Sequence, residues 1–338
     1  MKNFNFKGIL IAALVLVCVA FGVEEMFAKS AGEVMLAGAP LTIIFAKDIE
    51  ANIFPNNEFY MNAKDDSAFV EGKTVKHPVA GALPVVEINR TQLPATITKR
   101  EDDENSYDLN EFTTDPTLIQ DIEEIETNYS KRTNVLSDHI DTLNTKIATF
   151  FANLWLPNGS SNIVRTSSTS TRTASAPSAS GTRKRVAKAD FIAVNTIFNR
   201  MDVPTNGRFC VIPAEFLEDL LLIDGFVEAD KIGRANLIEG QIGRLLGFDI
   251  FVRSSVGVYT NDGTPVKKAL GAAGATADNL AALFWYKGWV NRAKGGIKVY
   301  SALDKPEYYG SMFSAMVRAG GKIRKDKKGV VALVEAHG

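Results

Sequence analysis

Cysteine is nearly absent from this chain. Of 338 residues only Cys18 and Cys210 carry thiols. Cys18 lies in an apolar N-terminal run, and removal of that run would leave a single thiol, so a disulfide framework is excluded. Histidine is almost as scarce, with three copies at positions 77, 139 and 337. They are scattered, which leaves no material for a zinc site or a histidine-based triad. The chain also lacks a charge of one sign: its formal net charge is −1. Any attraction to nucleic acid or to an anionic membrane must come from local patches. No serine sits in G-x-S-x-G and no phosphate-loop GK[ST] occurs.

What is present is an ordinary globular composition, 46% hydrophobic and 23% charged, in a chain long enough for two or more compact units. Ile9–Gly22 (ILIAALVLVCVAFG) carries no charge. Lys2 and Lys7 precede it and Ala28-Lys29-Ser30 offers small residues at cleavage spacing, which together have the parts of a signal peptide. The run is short for a spanning helix, which needs about 20 apolar residues. Residues 1–30 therefore form a hydrophobic leader.

Residues 31–62 are mixed and apolar, interrupted by Pro40 and Pro55. Residues 63–113 alternate β-branched and polar side chains and carry three prolines within KTVKHPVAGALPVVEINRTQLPATITKRE, as edge strands of an extended hairpin do. The acidic stretch Glu101–Glu111 reads as a solvated or partner-facing loop. Asp115 as N-cap and Pro116 at the first helical position open a helix that runs to Asn158-Gly159. Its apolar residues, from Ile122 through Leu136, Leu143 and Phe150 to Leu154, recur at steps of three and four. About 40 residues at ~1.5 Å each would span ~60 Å, with a break near Lys131–Thr133. Residues 158–186 are rich in Ser, Thr, Ala and Arg and nearly devoid of large apolar side chains, which predicts a flexible linker ending in the solvated basic run Arg183-Lys184-Arg185.

Beyond residue 187 the pattern is α/β. A helix carries Phe191, Val194, Ile197, Phe198 and Met201. RFCVI (208–212) is a buried strand, and Pro213 leads the helix PAEFLEDLLL. GFDIFVRSS (247–255), LAALFWY (280–286) and IKVYSAL (297–303) are further strands. Tyr308–Val334 reads as two strands joined by the charged turn RKDKKG.

Candidate chemistry fails residue by residue. Glycines 233, 240, 243 and 247 match no nucleotide-binding fingerprint and read as turn glycines, and GAAGATADN (271–279) is a flexible loop. Asp121, Glu123, Glu124 and Glu126 fall on polar helix faces. Asp138-His139 lies mid-helix, where an exposed or interface histidine is expected rather than a base. Charge does separate: residues 100–126 hold eleven acids against one arginine. Residues 318–328 hold six bases against Asp326. Opposite patches of this kind steer and register neighbouring copies. A rod helix, an extended hairpin and no catalytic centre point to self-assembly.

Three stretches resemble the major capsid proteins of tailed bacteriophages, of the Hong Kong ninety-seven type. RFCVIPAEFLEDLL with GQIGRLLGFDIFVRSS is similar to their axial domain. FYMNAKDDSAFVEGKTVKHPVAG resembles the start of their extended loop, and FTTDPTLIQDIEEIETNYSKRTNVLSDHIDTL the run into their spine helix. The likeness covers roughly residues 45–155 and 187–335 and rests on segment order more than on any one motif. It implies an α+β phage capsid fold. Its parts would be an N-terminal arm (31–62), an extended β-hairpin loop (63–113), a long spine helix of the peripheral domain (114–157), an α/β axial domain (187–294) and peripheral strands with the C-terminus (295–338).

The function implied is that of a non-enzymatic structural protein whose hexamers and pentamers close an icosahedral shell around double-stranded DNA. No cofactor and no small-molecule substrate is expected. Scaffold, portal or decoration proteins, and packaged DNA by non-specific contact, are the further partners. Inter-subunit contacts are expected from Lys73, Lys76, Arg100, Glu101, Asp102, Asp103, Glu104, Arg324, Lys325, Lys327 and Lys328. Some relatives crosslink a loop lysine to a neighbour's asparagine. Lys73 and Lys76 lie in the corresponding region, but the partner and the assisting glutamate are unmatched, and that chemistry is not carried over. Such shells assemble in the host cytoplasm, where an export signal would be counterproductive. The leader then reads as a processed or inward-facing arm, a helix over an apolar surface, or an upstream extension of the reading frame. The alternative is an exported binding or surface-layer protein with a cleaved signal peptide.

Overall fold

A computed structural model describes residues 57–70, 72–91, 93–120, 131–158, 162–223, 241–260, 263–324 and 329–338. They fall within one compact unit, Glu50–Glu124 with Ser130–Gly338. The leader, most of the expected arm, Asp121, Glu123, Glu124, Glu126, Gly233, Gly240, Lys325, Lys327 and Lys328 lie outside the described residues.

In chain order the first strands are β1 (Lys64–Asp65), β2 (Thr74–Val79), β3 (Asp103–Asp108), β4 (Asn110–Thr113) and β5 (Thr117–Gln120). Helix α1 (Lys131–Trp155) follows, then β6 (Ile163–Arg165), β7 (Thr171–Thr173) and β8 (Thr182–Lys184). Next come α2 (Lys188–Arg200), β9 (Arg208–Pro213), α3 (Ala214–Leu221), β10 (Gln241–Leu245) and β11 (Phe248–Arg253). The chain continues through β12 (Gly257–Thr260), β13 (Val266–Lys267), β14 (Asn279–Tyr286) and β15 (Val290–Lys294). It ends with β16 (Lys298–Lys305), β17 (Gly310–Ile323) and β18 (Val330–Val334).

One sheet has eight strands in the order β10-β11-β9-β14-β12-β13, with β18 pairing β14 and β6. Its central strands are apolar along most of their length because both faces are covered, and the pleat sends alternate residues to opposite sides. Val211, Leu283, Trp285, Ala332 and Val334 join Ile147, Phe151 and Trp155 of α1. Cys210, Ile212, Phe284, Val331 and Leu333 join Phe191, Val194 and Phe198 of α2 and Phe216 of α3. RFCVI thus serves two cores at once. Its Cys210 thiol is buried and its pKa is pushed well above the ordinary value by that burial, so it is not a nucleophile.

The second sheet has six strands built on β17. Along one edge β17 pairs first with β16 and then with β15; along the other it pairs with β5 and then β4. Gly321 is required there: a Cβ would stand 2.4 Å from the Asn291 carbonyl oxygen across the ladder. Helix α1 lies against this sheet through Phe151, Ala315, Val317 and Ala319 as well as against the first.

Several expectations change. Asp115-Pro116 does not open a helix, because Thr117–Gln120 is β5, paired with Gly310–Phe313. The described helix begins at Lys131. His139 is buried on α1, not exposed. The acidic stretch Glu101–Glu111 is not a loop but contributes β3 and β4. The end of the expected arm is core: Phe59 and Tyr60 are buried, with Phe59 edge-on to Trp155 and Trp285 at 6.5 and 6.1 Å. β17 and β18 do not pair with each other, and sheet membership crosses the expected 294/295 division, since β15 joins the second sheet and β18 the first.

The largest correction concerns residues 158–186. The described part is not a flexible linker. β6 pairs β18 and β7 pairs β8. The Arg183 side chain is buried; its Nε donates to Asn279 Oδ1 at 2.6 Å and its terminal nitrogens to four carbonyls. Arg172 donates to Asp219 and Glu335, both wholly buried, and Arg185 also reaches Asp219, at 2.9 Å. Hydrogen bonds and buried ion pairs replace the missing apolar side chains.

Candidate assembly surfaces

Two elements raise the extended hairpin. β2 and β3 pair antiparallel from Thr74↔Asp108 to Val79↔Asp103. Val75 and Tyr107 turn inward and pack with Leu109 and Ala293 of β15, which fixes the root on the second sheet. Pro78 is tolerated because this ladder has only two strands, each with a free edge. Beyond the root, no described residue between 80 and 102 is in a strand. There Leu83, Val85, Val86, Ile88, Leu93 and Ile97 are 79–96% exposed.

The legs are tied by charge. Asp102 accepts from the Gly81 amide at 2.8 Å and from Arg100 Nε at 2.7 Å. These bonds, the amide's first, hold its carboxyl below the ordinary carboxylate value. Lys76 Nζ lies 2.8 Å from Glu104, which raises its pKa. Asp103 accepts from the Glu104 amide, Glu101 is exposed, and Lys73 is exposed at the foot of β2.

The two charged patches are not both left for a neighbour. β4 and β17 place Glu111 opposite Arg318, and the pair closes at 2.6 Å within one chain. Lys322 Nζ donates to the Ser106 carbonyl at 3.0 Å, and the Arg324 carbonyl accepts from Asn105. The separation of charge along the sequence is therefore in part a record of strand pairing inside the protomer. Charged residues expected at contacts share the arm with exposed apolar ones that the sequence reading did not name. Their signal was present: large aliphatic residues in a proline-interrupted stretch too open to bury them.

The cleft of about 640 Å³ between β4, β5 and α1 is lined by Glu111, Phe112, Asp138, His139 and Lys146. The His139 Nε2 is buried without a hydrogen-bond partner. Among the described residues no three His, Cys, Asp or Glu side chains are placed to hold a metal ion, and no helix is long and apolar enough to cross a membrane.

Residues 144–335, more than half of the chain, match the family model described as phage capsid protein. The fold is similar to solved structures at low identity. The capsid of the cyanophage P-SCSP1u matches at 16% identity and a TM-score of 0.60, over 87% of this chain and 92% of that one. A structure from the Mycobacterium phage Che8 matches at 19% and 0.58, over 88% and 97%. The capsid of Ralstonia phage GP4 matches at 12% and 0.59, over 89% and 97%. No curated protein matches by sequence.

Proposed function

Because the chain belongs to the phage capsid protein family, we propose that its extended hairpin is the arm by which one copy grips the next. The protein is a structural, major capsid protein, and its place is the virion head. Its copies pack as hexamers and pentamers into a closed icosahedral shell around double-stranded DNA, put together in the cytoplasm of the host. Scaffold, portal and decoration proteins are its further partners, and packaged DNA touches it without sequence preference. The family match and the solved structures give no support to an exported binding or surface-layer protein.

The observation that carries the proposal is the row of exposed aliphatic side chains at 83–97. A solubly folded monomer seldom displays such a contiguous apolar segment unless a partner covers it. Burying these six side chains at about 25 cal/mol per Å² is a large driving force for association, although the ordering of the segment offsets much of it. The charged contact set has a supporting part. Lys73, Glu101, Asp103 and the exposed Lys76–Glu104 and Arg100–Asp102 pairs line the same arm and set its register on a neighbour, together with Arg324, Lys325, Lys327 and Lys328.

Electron microscopy of the purified full chain, expressed alone and with its assembly partners, tests this. Closed particles are the expected result. A monodisperse monomer under both conditions would overturn it.

A further inference from the structure

One buried carboxylate stands at the root of the hairpin. Asp66, between β1 and the short helical turn Ser67–Phe69, is 1% exposed. Three donors from three elements converge on its Oδ2. His77 Nε2 of β2 lies at 2.5 Å, the Tyr107 hydroxyl of β3 at 3.0 Å and the Asn291 amide of β15 at 2.5 Å. The His77 ring stacks on Tyr107 at 6.2 Å and meets Phe69 edge-on at 6.2 Å. The backbone amide of Asp66 donates to the Arg292 carbonyl at 2.8 Å, so the carboxylate is itself seated on β15.

We propose that Asp66 is a positioning residue that sets the stance of the extended hairpin on the second sheet. The proposal rests on the reading of the hairpin as the arm that reaches a neighbour. An ionised carboxylate accepts only, and here it joins both legs of the hairpin to the sheet through one oxygen. Away from this point the polar ties from hairpin to sheet lie nearer the surface: Lys322 to the Ser106 carbonyl and Asn105 to the Arg324 carbonyl. The remaining contact is the apolar patch of Val75, Tyr107, Leu109 and Ala293, which has no directional preference.

The surrounding charges leave the carboxylate to its hydrogen bonds. Arg292 pairs with Asp65, at 2.8 Å. Lys76 and Glu104 pair with each other on the exposed side of the hairpin. Arg324 and Lys322 approach from the end of β17. Burial, followed by the charge of Asp66, pushes the Tyr107 phenol far above its ordinary value, so it remains a donor. An amide in place of this carboxylate would add a donor facing three donors and weaken the clamp.

Distance measurement between two spin labels on the full chain tests this. Labels at Thr91→Cys in the arm and Ser254→Cys on the first sheet are read in a Cys18→Ser background, since Cys210 is buried. The parent should give one narrow distance distribution at neutral pH. Asp66→Asn, which keeps the volume, should be broad under the same conditions, and its yield of closed particles should fall on the order of tenfold. Val75→Ala loosens the apolar root and leaves the carboxylate; it should lower stability yet keep the narrow distribution. An Asp66→Asn protein with the parent's distribution would overturn the clamp. Loss of particles in the parent would instead overturn the reading of the arm, and the distances would still judge the clamp.

Discussion

At the scale of single residues, buried charge settles what composition obscured. Arg172 is the clearest case. It reads as one polar residue in a Ser/Thr-rich tract, but Glu335 and Asp219 both depend on it. Arg172→Ala should cost about 3–5 kcal/mol in urea denaturation, because two carboxylates are left buried without that partner. Replacing Arg172 with an equally sized apolar residue would not restore stability. A hint of this lay in the sequence: Glu335 directly follows five apolar residues (VVALV), and an acid so placed needs a cation nearby. Which cation could not be read, because Arg172 lies 163 residues away along the chain. Asp66 was illegible for the same reason. Its three partners are contributed by β2, β3 and β15, and only the folded sheet brings them together.

At the scale of elements, periodicity was readable where one or two faces are buried. α2, α3, β9, β11 and β14 stand close to where their apolar patterns put them, and so does β16, although its side chains are mostly exposed. It misled where capping residues stood in a non-helical setting. Asp115-Pro116 has the look of a helix start, but the long edge of β17 offered Thr117–Gln120 a ladder. The two legs of the hairpin make an element-scale prediction about pH. Asp102 is held below its ordinary value by the Gly81 amide and Arg100. A group depressed on folding adds its tie above the unfolded value and loses it as pH falls through the lowered one. Protection of the Gly81 amide, taken relative to its intrinsic exchange rate at each pH, should therefore hold near about pH 6 and fall in acid below the ordinary carboxylate range. An exchange rate indifferent to Asp102→Asn would count against the tie.

At the scale of the whole molecule, body and arm separate energetically. No described residue from 82 to 99 belongs to the hydrophobic clusters. Replacing 82–99 with a short Gly-Ser turn should leave protomer stability within about 1 kcal/mol, since surface changes away from packed features cost little. The same excision should abolish closed particles in electron microscopy. A shortened protein that still forms shells would show that the arm is dispensable. Self-assembly was read from the extended hairpin, the long helix and the separated charge, whereas the open apolar stretch was a signal left unused. The domain plan was legible only in outline, since strands far apart in sequence share sheets: β4 and β5 wait for β17, and β6 waits for β18.

That last pairing bears on quality control. Val330–Val334 lies against β14 in the middle of the first sheet, with side chains in both large cores. A polypeptide broken off anywhere before Val330 has a slot at its centre and cannot consolidate either core. Ribosomal products that stop early are thus barred from the lattice by their own failure to fold, and a coat made of many identical tiles admits only tiles read through to their closing strand.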